Sequence, residues 1–201
     1  MNIFYLDHDV VKCAEMHNDK HCVKMILEYA QLLSTAHRIL DGVVSTGLTK
    51  TGRKKTVYAL ADHRDTVLYS ATHVNHPSAT WVRQSKENYI WLAKLLAALC
   101  EEYTHRYGKT HKVIRDGLCY ALLNVVPSNI PDKPFTEPTP AMPEDVKIPK
   151  AGPRGMLHYD SLASYRNYYI KNKTHLAKWK NRPIPEWYHD NTERTYQSEA
   201  S

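Results

Sequence analysis

The stretch His17-Asn18-Asp19-Lys20-His21-Cys22-Val23-Lys24-Met25-Ile26-Leu27-Glu28-Tyr29-Ala30-Gln31-Leu32-Leu33-Ser34-Thr35 decides how the chain is read. No Pro or Gly interrupts the sequence from Val10 to about Leu40, and helix formers dominate, so one long helix is predicted there. Val23, Ile26, Leu27, Ala30 and Leu33 recur at helical intervals and predict an apolar stripe against a core. His17, His21, Lys24, Glu28, Gln31 and Thr35 are spaced four, three, four, three and four apart, which places them on one narrow face of the same helix. Asp7 or Asp9 is expected to cap its start and Gly42 to end it.

Outward from this helix, a loop is expected over 41–56 and a short helix near Val57–Ser70. Pro77 suits the first position of a second long helix, carrying Trp81, Leu92, Leu95, Leu96, Leu99 and Tyr103 and stopped at Gly108. A weaker helix is predicted over Lys112–Leu123. The segment 127–153 holds eight of the eleven prolines, which excludes helix and disfavours a central strand. Ile130, Phe135 and Met142 would anchor it as an extended arm over the domain. A third long helix is predicted over Ser161–Lys180. The expected fold is all-α: three long helices around one core, joined by long irregular connections. One helical domain would cover 1–190, with a polar tail over 191–201.

The 201 residues are 42% hydrophobic and 24% charged, an ordinary globular balance that excludes disorder throughout. No apolar run reaches the roughly 18 residues of a membrane span. The start, Met1-Asn2-Ile3-Phe4, lacks the basic and apolar regions of a secretory signal. Cys13, Cys22, Cys100 and Cys119 form no Cys-x-x-Cys pair and are read as free thiols in a reducing, cytoplasmic compartment.

Lys and Arg number 27 against 21 Asp and Glu, a net charge of +6. Arg166, Lys171, Lys173, Lys178, Lys180 and Arg182 fall between Ser161 and Pro185 with no acidic residue among them, interleaved with Tyr165, Tyr168, Tyr169 and Trp179. Cations suit phosphates and flat rings suit unstacked bases, so a nucleic-acid partner is expected. A second basic cluster, Lys50, Arg53, Lys54 and Lys55, lies in the expected loop. On the first helix, Glu28 offers an acid or base, Lys24 an amine, and His17 and His21 titrating imidazoles, which together suit a catalytic cleft. The competing reading is a solvent face with an i,i+4 Lys24–Glu28 pair. His76, in His73-Val74-Asn75-His76-Pro77, would be held neutral by the helix that follows it. Cys13, His17 and His21 share a helical face, but no dense Cys/His signature accompanies them, so neither metal nor cofactor is expected.

Three of these segments together resemble the phage endonuclease V family, the pyrimidine-dimer DNA glycosylases. Asp19-Lys20-His21 with Glu28 is similar to the family's Asp-x-His and catalytic glutamate. Asn75-His76-Pro77, then a helix ending in Arg106-Tyr107-Gly108, is similar to its second helix. Arg182-Pro183 with Trp187-Tyr188 resembles its basic third helix and aromatic tail. The chain also looks like small proteins of tailed phages, which would put it in the cytoplasm of an infected host. Two departures stand out. The family's nucleophile is the α-amine of a threonine exposed by methionine removal, whereas a methionine before Asn2 is normally retained. Its two arginines near the glutamate fall at Leu27 and Gln31.

The resemblance implies a DNA-repair N-glycosylase, with AP-lyase activity if an imine forms, acting on damaged or modified double-stranded DNA. Glu28 would be its catalytic carboxylate and Lys24 the replacement amine, with His17, His21 and His76 beside them. Arg166, Lys171, Lys173, Lys178 and Arg182 would hold the strand, and Trp187 or Tyr188 would fill the gap left by a flipped base. A phage enzyme that modifies the base, or a nucleic-acid-binding module without catalysis, are the alternatives.

Overall fold

A computed structural model describes residues 1–152 and 156–189; the expected polar tail over 191–201 lies outside the described residues. Helix makes up about 52% of the structure, and two small antiparallel sheets accompany it, so the fold is mixed rather than all-α. In chain order the elements are α1 (Val10–Met16), α2 (Asp19–Asp41), β1 (Val43–Leu48), β2 (Lys54–Ala59), α3 (Arg64–Val67), α4 (Pro77–Gln84), α5 (Lys86–Tyr107), α6 (Lys112–Arg115), α7 (Leu118–Asn124), β3 (Ile148–Ala151), β4 (Leu157–Asp160) and α8 (Ser161–Asn172).

The helix expected over Val10–Leu40 is two helices. Asp9 caps α1, accepting from the Val11 and Lys12 amides. His17 turns extended, and the Asn18 side chain accepts from the His21 amide at 2.9 Å to start α2 afresh. Asn at such a junction is a strong N-cap, and Asp19 in the first turn suits the positive helix end. Gly42 closes α2.

Of the expected apolar stripe, Ile26, Ala30 and Leu33 are fully buried, and Val23 and Leu27 are not. Val23 and Leu27 are 42% and 43% exposed, while Cys22, Met25, Ile26, Tyr29, Leu32, Leu33 and Ala36 are buried. The core face is wider than that stripe and takes in His17 and His21, whose rings are satisfied by buried hydrogen bonds.

The expected loop over 41–56 is instead a hairpin. β1 and β2 pair antiparallel from Val43↔Ala59 to Leu48↔Lys54, and β2 takes the start of the helix expected at Val57–Ser70. β-branched Val43, Val44, Thr46, Thr56 and Val57 fit a pleated ribbon, and Gly52 supplies the positive φ its turn requires.

The second expected long helix is interrupted at Ser85, which is extended. Its hydroxyl donates to the Lys133 and Pro134 carbonyls, and the Lys86 amide donates to the Pro131 carbonyl. The Pro-rich arm thus satisfies the start of α5, and Phe135 packs among Tyr5, Trp81 and Trp91. The arm ends in β3, where Pro149 sits in a two-stranded ribbon paired with β4. Gly117, at positive φ, divides the expected 112–123 helix into α6 and α7. The expected third long helix stops at Asn172, followed by a 3-10 turn over Thr174–Leu176.

One hydrophobic core joins residues from Ile3 to Tyr188. At its edge a buried ion cluster binds three segments. Arg106, 1% exposed, donates to Glu102 (2.6 Å), to Asp19 (3.0 Å) and to the Glu15 carbonyl (2.8 Å). Arg182 reaches the same Glu102 at 2.8 Å. No helix among the described residues is long and apolar enough to cross a membrane.

Candidate functional site

Glu28 stands in the middle of α2 with 15% of its side chain exposed. One turn earlier, Lys24 places its Nζ 3.2 Å from Glu28 Oε1, and the Met1 nitrogen lies 3.9 Å from Oε2. Two nitrogens therefore flank one carboxylate. The segment 1–6 is held there by the core: Ile3, Tyr5 and Leu6 are fully buried, and the Ser78 hydroxyl donates to the Met1 carbonyl. Ser78 belongs to the first turn of α4, so α4 meets α2 at this point.

His76 caps α4, its Nδ1 accepting from the Ser78 amide at 3.2 Å. That bond requires an unprotonated Nδ1. Burial lowers the His76 pKa, helped by positive charge at the Met1 nitrogen and by His73, while Glu28 opposes the shift. The imidazole is thus neutral beside the carboxylate. Thr35, two turns beyond Glu28, bonds the Thr72 backbone and ties the histidine loop to the same face of α2.

His21 lies on this face one turn before Lys24, though only 6% exposed. Its Nδ1 is 2.6 Å from the Tyr169 hydroxyl, and its ring stacks on Phe4 at 4.0 Å. Burial, above all, pushes its pKa down to about 3, with His17, Lys173, Lys24 and His175 adding positive potential. Lys173 and His175 bring the segment after α8 to the polar face of α2 that bears Lys24. Lys173 also sits over the Tyr168 ring at 4.7 Å.

His17 is not part of this surface. It is fully buried, with Nδ1 2.7 Å from the Cys13 carbonyl and Nε2 2.8 Å from the Tyr29 hydroxyl. A carbonyl only accepts, so Nδ1 carries the proton and Tyr29 donates to Nε2. Tyr29 in turn accepts from the Phe4 amide. Burial lowers the His17 pKa to about 4. Cys13 donates to the Phe4 carbonyl, and burial raises its thiol pKa to about 12. No group of three or more metal-ligating side chains occurs among the described residues.

The expected strand-binding residues divide into two sets. Lys171 and Lys178 are exposed and Lys173 half-buried. Arg166 instead donates to the Leu6 carbonyl through Nε and Nη2, and Arg182 is bound to Glu102 and Glu15. These two guanidinium groups hold the fold together. Tyr188 is 6% exposed and packs on Trp179. Trp187 is half-buried, under Arg166 and against Tyr169. Neither ring stands free as a wedge.

Arg38 extends the polar stripe by its next step of three, beyond the residues expected on it. It is 6% exposed and donates to the Tyr58, Asp65, Leu68 and Tyr69 carbonyls and to the Asp65 carboxylate. Continuing the four-three spacing past Thr35 would have found it. Tyr169 and Phe4, which seat His21, carried no comparable signal.

Open clefts lie away from Glu28. One of about 530 Å³ is walled by the arm and the β3–β4 ribbon, including Glu137, Lys150 and His158. Another, of about 580 Å³, is lined by Tyr103, Lys109, His111, Lys112 and Arg115. Cleft size follows where the arm and connections leave gaps and says nothing of reacting groups, so the converging amines and carboxylate mark the better candidate. Comparison with protein-family models, with curated proteins and with solved structures finds no match.

Proposed function

We propose that the chain is a DNA-acting enzyme, an N-glycosylase whose chemistry passes through an imine. The observation that supports this reading is an amine held against a carboxylate: Lys24 Nζ and Glu28 Oε1 at 3.2 Å, on a surface shared with the basic segment that carries Lys173. An unprotonated amine attacks C1′ of the sugar, and the glycosidic C–N bond breaks. The base leaves with the bonding pair and takes a proton from solvent water, whose hydroxide is neutralised by buffer. The attacking nitrogen gives a proton to Glu28, which passes it to O4′ as the C1′–O4′ bond opens to the imine. Water then hydrolyses the imine and frees the amine. Neutral His76, close enough to feel the Glu28 charge, can donate through Nε2 to an anionic oxygen.

Borohydride reduction in the presence of DNA bearing different lesions or modified bases tests the reading. A covalent adduct mapped to Lys24 supports it, and one mapped to the Met1 nitrogen keeps the chemistry but moves the nucleophile. The absence of any adduct, with binding intact, favours the second reading, a nucleic-acid-binding module. Lys24, 61% exposed, then forms a plain surface pair.

A further inference from the structure

The β1–β2 hairpin stands out from the domain. Both faces of β1 are largely exposed along its length, including Val43, Val44 and Leu48 at 68%, 63% and 64%. Six paired residues give a ribbon of about 20 Å. Between Asp41 and Asp62 the chain has no acidic residue, while Lys50, Arg53, Lys54 and Lys55 crowd the far end, all exposed. None of the four forms an ion pair among the described residues. The turn between the strands is ordered: the Thr49 amide donates to the Arg53 carbonyl at 2.8 Å, the Gly52 amide to the Thr49 carbonyl at 2.9 Å, and the Arg53 amide to Thr49 Oγ1 at 3.0 Å.

We propose that this ribbon is a duplex-binding arm that enters a groove of the nucleic acid tip first. The partner is identified by charge and shape. Leu48 pairs with Lys54 and Gly47 with Lys55, so the two lysines point to opposite faces. A body entering a groove meets a phosphate ridge on each side, and cations on both faces answer both ridges. A two-stranded ribbon fits a major groove about 12 Å wide.

The root of the ribbon adds orientation. Arg38 fastens it through the Tyr58 carbonyl at 2.9 Å and fixes the following turn through Asp65 at 2.6 Å, whose carboxylate also accepts from the Leu60 amide. Lys24, Glu28, Gln31, Thr35 and Arg38 follow one four-three-four-three spacing, so the ribbon is bolted to the same face of α2 that bears the amine–carboxylate pair. Ten residues of helix separate Glu28 from Arg38, about 15 Å, which is about four base-pair steps. One duplex can therefore lie along both. The inference rests on the nucleic-acid partner of the proposed function, not on the chemistry at Glu28.

The test is equilibrium binding of the full chain to a labelled duplex and to a single strand of the same sequence, across a salt series. Lys50, Arg53, Lys54 and Lys55 are changed together to alanine, with Lys54→Glu plus Lys55→Glu as a smaller variant should the first fold poorly. Duplex affinity should fall at least about tenfold, and the log–log salt slope by roughly 3–4 units for four lost phosphate contacts. The single strand should lose less, and sedimentation should show an unchanged oligomeric state. Wild-type protein that binds no duplex, an unchanged slope, or equal losses on duplex and single strand would each overturn the proposal. So would a shift in oligomeric state, which would make the ribbon a contact between copies of the chain. The readout is binding alone: an unchanged slope in the ribbon variants leaves imine trapping on the amine beside Glu28 standing, failure of trapping leaves the ribbon standing, and only wild-type protein that binds no duplex would remove both.

Discussion

The Nδ1 of His21 lies 2.6 Å from the hydroxyl of Tyr169, joining α2 to α8 across 148 residues of sequence. The Asn18 side-chain amide, at 3.4 Å, is a much poorer donor to the same nitrogen. Tyr169→Phe therefore removes the main partner of a buried acceptor. It should destabilise the fold by about 1–3 kcal/mol, the desolvation cost of leaving such a group unpaired. Denaturant titration checks this. A change within a few tenths of a kcal/mol would mean that water or Asn18 replaces the hydroxyl.

Acid should unfold the protein through its buried imidazoles. Burial, chiefly, lowers His17 and His37 to about 4 and His21 to about 3, against about 6.5 in the unfolded chain. His37 is fixed neutral because Arg64 donates to its Nδ1, leaving Nε2 to donate to Tyr89. Below pH 6.5 the unfolded chain takes up protons that the folded chain refuses, so stability falls as pH falls. The loss runs from about pH 6.5 down to about 4 for His17 and His37, and on to about 3 for His21. Each contributes roughly 1.4 kcal/mol per pH unit once well below 6.5. Melting temperature measured from pH 7.5 to 4.5 checks the slope, and a flat profile across that window would mean these imidazoles protonate in the folded state.

Substitutions in the basic segment should separate into two behaviours. Arg182→Ala leaves Glu102, 3% exposed, with Arg106 as its remaining cation, and should lower stability by about 1–3 kcal/mol without a specific loss of DNA affinity. Lys171→Ala with Lys178→Ala should keep the melting temperature and reduce the log–log salt slope of DNA binding by roughly 2 units. Thermal melts and a salt series on the same samples distinguish them. Arg182→Ala changing the salt slope while leaving stability intact would return that residue to the DNA surface.

What the sequence made legible was mostly periodic. The two long helices around Glu28 and Leu95 were visible because apolar residues recur at helical spacing, and the arm because prolines exclude helix. The breaks at Asn18 and Ser85 were not, since a cap depends on a single side chain meeting a single amide, and at Ser85 that partner is the arm some 48 residues away. The ribbon at 43–59 was obscured by Gly47, Gly52 and its lysines, which read equally well as a loop until the pairing is known. His17 and His21 share a spacing with Lys24 and Glu28, but spacing does not reveal that Tyr29 and Tyr169 draw the histidines inward. The Lys24–Glu28 contact, by contrast, follows directly from the i,i+4 relation.

Glu28→Gln should remove chemistry while sparing the fold. The two side chains are nearly isosteric, and glutamine can still meet Lys24 by hydrogen bond, so the melting temperature should move little. The amide can neither take the proton released by an attacking amine nor deliver one to O4′. Single-turnover cleavage of a responsive lesion should then slow by about 10²–10⁴-fold, the usual contribution of a positioned acid or base. Lys24→Ala separates the two roles. If Lys24 is the nucleophile, the reduced imine disappears in this variant while duplex binding persists. If the imine survives and maps to the Met1 nitrogen, 3.9 Å from the same carboxylate, Glu28 keeps its role and Lys24 loses its own. Were the pair merely a solvated ion pair, both variants would cleave like wild type and lose at most a few tenths of a kcal/mol of stability. Wild-type rates in both would therefore reject the site on α2.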